Sequence, residues 1–310
     1  MAQETPADLH ILAVAQKWQS ELEQYAPVIA RGLAMFNSMS LGIQAVAQEI
    51  FPRIALHLHA LERIDWSEAI RRMQALPAQS KAAMTLAAGN GWFFGWSDSL
   101  QGVIELIDKL NGALPDEIDQ VLTQYYRDNL DFFADELFKK HPARAPVIQA
   151  AVNAHKALGT DGYCLAIPVF IAQADGLLTE IADVKSAFMK DTRVKDMRGQ
   201  PELQASVALR EQLAADPALL DLIHPLLTLH DLDFMKSANA RKQAAQKEGG
   251  RFTVLNRHQV MHGEVSDYGT EINSLKAFSL LTFIGTHLPE ILQRERSTCV
   301  KTLAQTGGTG

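Results

Sequence analysis

The sequence predicts an all-α protein, and three observations carry that expectation. Apolar residues recur at spacings of three, four or five; over 118–138 they are Ile118, Val121, Leu122, Tyr125, Leu130, Phe133 and Leu137. Start and stop signals flank that run. Pro115 suits a first helical turn, Asp116 and Glu117 complement the helix dipole, and His141-Pro142 ends the pattern. No stretch alternates β-branched and polar residues for long enough to predict a strand.

Similar helical patterns run in order over 9–25, 41–61, 104–110, 147–158, 163–189, 203–213, 219–234 and 272–292. The segment AAGNGWFFGWSDS (87–99) interrupts them, and Gly89, Gly91 and Gly95 permit a turn there. Trp92, Phe93, Phe94 and Trp96 are expected to pin that turn into the core. A break at HPARAP (141–146) divides the chain into an N-terminal helical domain, 1–140, and a C-terminal helical domain, 141–296, with 297–310 as a flexible tail. Within the second domain, KSANARKQAAQKEGGR (236–251) is a basic linker. Lys236, Arg241, Lys242, Lys247 and Arg251 stand against Glu248 alone. Such a run is either a solvated loop or frayed helix end, or a loop that steers a polyanion.

Composition narrows the function classes. Hydrophobic residues make up 47% and charged residues 21%, an ordinary globular balance. A net charge of −7 argues against wholesale coating of nucleic acid but leaves a local basic site open. Cys164 and Cys299 lie far apart and form no CxxC pair, so neither a zinc ribbon nor a disulfide framework is expected. The first 25 residues carry Glu4, Asp8, Glu21 and Glu23 and do not read as a signal peptide. The longest apolar run, YCLAIPVFIA (163–172), is too short to span a bilayer and contains Pro168. A cytoplasmic protein with no membrane contact follows. There is no GxxxxGK[ST], and GNGWFFG lacks the preceding strand of a dinucleotide fingerprint, so no nucleotide cofactor is expected.

The chemistry concentrates in LNRHQVMHG (255–263). Arg257 offers a planar, permanently charged fork for phosphate oxygens. His258 and His262 can exchange protons near neutral pH. Around an RNA phosphodiester these groups supply what metal-free cleavage needs. An imidazole withdraws the 2′-hydroxyl proton, the oxygen attacks its own phosphate, and arginine stabilises the growing charge. A plainer reading has Asn256 cap a helical turn and Gly263 end it, with both histidines bonded to nearby backbone. On a regular helix His258 and His262 share a face, whereas Arg257 and His262 point about 140° apart. The shared face would suit a two-histidine metal site, but position 259 is Gln, so no HExxH exists; Asp175, Glu180 or Asp267 would have to complete it. No metal is expected.

The segment Arg257-His258-Gln259-Val260-Met261-His262 resembles the Arg-polar-x(3–5)-His signature of HEPN domains, small α-helical bundles many of which are metal-independent RNases. The run NRHQVMHGEVSDYGTEINSLKAF (256–278) is similar to that family's fuller pattern, and 163–181 to an earlier helix of uncharacterised bacterial proteins bearing an NRHxxxHG motif. The resemblance covers the C-terminal half. The bare signature also occurs at Arg53–His59 and Arg251–His258, without a matching surround.

The resemblance implies a C-terminal HEPN-like bundle with Arg257 and His262 as catalytic residues and His258 in support. It implies an endoribonuclease leaving 2′,3′-cyclic phosphate, in a toxin or phage-defence setting. Family members commonly pair two motifs across a homodimer, so RNA, a second copy and an antitoxin or regulatory protein are the expected partners. Asn256, Asp175 and Tyr268 are further supporting candidates, with Gln173 and Glu180 near Asp175, and Lys236, Arg241, Lys242, Lys247 and Arg251 would steer RNA. The alternative is a non-catalytic adaptor that keeps the motif for nucleotide, RNA or protein binding.

Overall fold

The computed structural model describes residues 66–95, 100–247 and 255–293. The patterns at 9–25 and 41–61, Trp96, Arg251 and the tail lie outside the described residues, as does the side chain of Lys247. The chain divides into two compact units, Met1–Pro77 and Ala78–Gly310, so the break expected at 140–141 falls inside the second.

The described residues are mainly helical, as the periodicity predicts. Helix α1 (Trp66–Gly89) brings Ala83, Met84, Ala87 and Ala88 into the core of the second unit. A turn follows in which Gly91 takes φ +82°, open to glycine at little cost. Trp92, Phe93 and Phe94 are then fully buried, as expected. The Trp92 indole stacks on Tyr126 at 5.7 Å and donates to Asp119 at 2.7 Å, while the Tyr126 hydroxyl donates to the Phe93 carbonyl.

Next come α2 (Leu100–Gly112), α3 (Ile118–Asp128), α4 (Leu130–Lys140), α5 (Ala145–Ala157) and α6 (Gly159–Ala182). The single helix expected over 118–138 is two. Asn129 separates them, turning its side-chain amide back onto the Tyr125 carbonyl at 2.9 Å. Helix α6 ends where Asp183 adopts the left-handed region, short of the expected 189. Among the described residues it is one helix long and apolar enough, by length and composition, to cross a membrane, so its apolar stretch extends beyond the 163–172 run read from the sequence. Its inner face packs on α5 and on the last long helix.

An antiparallel hairpin, β1 (Lys190–Lys195) with β2 (Pro201–Leu203), follows and was not expected. Its residues are mostly polar and exposed, so no apolar alternation marks it. Then come α7 (Gln204–Gln212), α8 (Pro217–Leu222), α9 (His224–Leu227), two 3-10 turns at Leu229–Asp231 and Asp233–Met235, α10 (Ala238–Lys247), α11 (Arg257–Met261) and α12 (Glu271–Thr282). The continuous pattern over 219–234 thus breaks into short pieces, with Pro217 and Pro225 near two helix starts.

Helix α12 is buried at every position from Asn273 to Thr282, which makes it the central element. Its polar groups are therefore paired inside the protein. Lys276 binds Asp119 at 2.9 Å and lies over the Trp92 ring at 5.6 Å. Ser274 meets His155 Nδ1 at 2.8 Å, and the Ser279 hydroxyl accepts the Phe93 N–H at 3.1 Å. A π-turn at Phe283–His287 continues the helix, and His287 Nε2 lies 3.1 Å from the Leu222 carbonyl oxygen.

Candidate functional site

Helix α11 is short because both ends are fixed locally. The Asn256 side chain accepts the Gln259 N–H at 3.2 Å, an N-cap. Its amide also donates to the carbonyls of Asp233 (2.6 Å) and Lys236 (3.3 Å), tying the helix start to the preceding 3-10 turn. At the other end Gly263 takes φ +66°. The Glu264 N–H reaches the Gln259 carbonyl at 2.8 Å and the Gly263 N–H that of Val260 at 3.2 Å, a Schellman closure. Asn256 is thus a capping residue, buried and turned away from solvent.

This backbone sends the three motif side chains two ways. Arg257 points toward α6, where its Nη2 donates to Asp175 Oδ2 at 2.9 Å. The guanidinium lies over the Phe188 ring with 5.0 Å between its carbon and the ring centroid. Its Nε is buried without a hydrogen-bond partner. Next to it, His258 and His262 stack with ring centroids 5.8 Å apart and planes 10° from parallel. His262 is exposed and His258 half-buried. Burial lowers the His258 pKa first, and the charges of Arg257, Arg241 and His262 lower it further against an opposing pull from Glu264. Burial and the neighbouring positive charges thus favour the neutral form of His258.

The expected supporting residues separate into those at this cluster and those elsewhere. Asp175 is at it. Gln173 and Glu180, expected beside it, instead hold Arg144: Nη1 donates to Gln173 at 2.9 Å and Nη2 bonds Glu180. The Arg144 guanidinium rests on Gly176, where a Cβ would come within 2.9 Å of Nη1. Tyr268 is not at the cluster. Its hydroxyl reaches the Cys164 carbonyl at 3.4 Å, which lies about 16 Å along α6 from Asp175 at 1.5 Å per residue. It anchors the approach to α12 instead, its own carbonyl accepting from Asn273 at 2.9 Å.

The basic segment also differs from expectation. Part of it is α10, and Arg241 on that helix is buried, donating to the Lys236 carbonyl at 2.8 Å and to Glu264 at 2.5 Å. Its guanidinium links the Lys236 carbonyl, which Asn256 also binds, to Glu264 just after the motif, and is not presented to a polyanion. Lys236 pairs with Asp233 while staying exposed on its side chain, and Lys242 is exposed.

Phe188 and Arg144 carried no signal in the sequence, since each meets α6 or α11 through the fold alone. The same holds for Asp196, His230 and Asp231. Among the described residues this trio is the one group of His, Cys, Asp and Glu spaced to hold a metal ion; His258 and His262 gain no third ligand. No known protein family, curated protein or solved structure matches the chain.

Proposed function

We propose that the protein is a metal-independent endoribonuclease of HEPN type, acting as a homodimer. One observation supports this reading above the others: a single capped turn presents a carboxylate-oriented guanidinium and two stacked imidazoles. Arg257 clamps the scissile phosphate, displacing or sharing Asp175, which meanwhile fixes the direction of the fork. His262, the exposed ring, carries the proton to or from the reacting oxygens, and neutral His258 positions it. Because Arg257 is engaged by Asp175 and Phe188 while His262 stacks on His258, a complete site takes the arginine of one chain and the histidine of the other. Lys236 and Lys242 stand on the adjoining segment for RNA backbone contacts.

A second reading has its own observation. Arg257 already has an acid and an aromatic ring as partners within the chain, which suits a structural role in a non-catalytic adaptor. Purified wild type, Arg257→Ala and His262→Ala, incubated with total RNA in EDTA, separate the two. The nuclease reading expects fragments ending in 2′,3′-cyclic phosphate from wild type alone. Equal inertness of all three proteins supports the adaptor, and cleavage abolished by chelator contradicts the metal-free mechanism.

A further inference from the structure

The turn joining β1 to β2 is built around Asp196. Its Oδ1 accepts the N–H groups of Arg198 and Gln200, both at 2.8 Å, and Gly199 supplies the positive φ that closes the loop. One carboxylate oxygen is thereby locked, which fixes the other, Oδ2, toward the 3-10 turn Leu229–Asp231. There His230 stands with its side chain only 5% exposed. Its Nε2 lies 3.3 Å from Asp196 Oδ2 and 3.7 Å from Asp231 Oδ2.

The contact with Asp196 is a hydrogen bond, which leaves the Asp231 carboxylate beside the same nitrogen at 3.7 Å, beyond hydrogen-bond range. The ring's other nitrogen, Nδ1, is buried with no partner, so the imidazole is held here at a cost. We propose that Asp196, His230 and Asp231 form a binding site for a divalent transition-metal ion, zinc being the natural probe. Bonds of about 2.0–2.2 Å at tetrahedral angles place ligand atoms about 3.3–3.6 Å apart. One imidazole and two carboxylates present ligand atoms that all lie within 4.8 Å of one another and together offset a 2+ charge.

Arg198 supplies the positive charge when no ion is bound. Its Nε lies 3.5 Å from Asp196 Oδ2 and its Nη2 bonds Asp231. The side chain is 67% exposed, so it can swing into solvent as an ion enters, leaving water to fill the fourth position. Bound metal would clamp the hairpin turn to the 3-10 turn and raise stability by mass action.

The test uses the full chain, stripped with chelator and dialysed, titrated with zinc chloride by calorimetry and followed by thermal melting. Wild type should take up one zinc ion and melt higher with increasing zinc. Arg198→Ala should bind about fivefold more tightly, the effect of removing exposed competing ion pairs. Asp231→Asn, at a partly exposed position, should weaken binding at least about tenfold. The double variant His258→Ala/His262→Ala should bind as wild type does. Absence of saturable binding in both wild type and Arg198→Ala overturns the proposal. So does binding that survives unchanged in Asp231→Asn or disappears in the double histidine variant. None of these outcomes depends on RNA cleavage.

Discussion

Removing the carboxylate that holds Arg257 tests whether the fold sets that side chain in place. Asp175→Ala leaves a guanidinium whose side chain is only 21% exposed facing no acid, with its Nε already lacking a partner. A fully exposed ion pair contributes about 0.2–1 kcal/mol, and a hydrogen bond to a charged group about 1.5–3 kcal/mol. With the side chains 21% and 26% exposed, this pair falls between those limits, at about 1.5 kcal/mol. For a unit of this size that lowers Tm by about 3–6 °C. Arg257→Met keeps an apolar contact with Phe188 and leaves an acid that water can reach, so it should cost less. The double variant should then resemble Arg257→Met alone, giving a coupling of about 1.5 kcal/mol, the full cost of Asp175→Ala, in a denaturant-unfolding cycle. Additivity within about 0.4 kcal/mol would refute the claim that Asp175 orients Arg257.

Two further outcomes are expected. Gly269→Ala places a Cβ 2.2 Å from Cys164 Sγ and 3.3 Å from the Thr160 carbonyl, so it should destabilise by overpacking, by about 1–3 kcal/mol. Adding Cys164→Ala should recover most of that loss in the same melting assay, and no recovery would place the clash elsewhere. The imidazoles of His155, His224 and His258 are all lowered, burial being the leading cause for each. The unfolded chain therefore takes up protons that the folded chain refuses, and the stability these groups provide is complete above about pH 6.5 and lost as pH falls below it. Tm should drop between pH 7.5 and 5.5, less steeply in His155→Gln, and a Tm that rises on acidification would contradict the sign.

Much of the fold was legible because its cause is local. The helical spacing in 118–138 and the Asn256 and Gly263 caps depend on neighbours a few residues away, and the structure places helix and caps there. The buried aromatics after Gly91 were also legible, since three large rings beside glycines have few other places to go. What escaped notice depends on contacts across the chain. The hairpin 190–203 is polar, held by pairing rather than by an apolar face, and the Asn129 break interrupts no hydrophobic period. At the site, Asp175 stood out as an acid in an apolar helix, but nothing local separated it from Glu180, which the fold gives to Arg144. Arg241 looked like one of five solvated cations, yet Glu264 lies near enough to draw it inside.

The separate partners of Arg257 and His262 make the central claim depend on two chains meeting. Arg257→Ala and His262→Ala should each be inactive alone on RNA in EDTA. After unfolding and refolding together, about half the dimers would be mixed, each keeping one intact arginine–histidine pair, so about a quarter of wild-type cleavage should return. Persistent inactivity of the mixture, with mixed dimers verified and wild type active, would contradict a site shared between subunits.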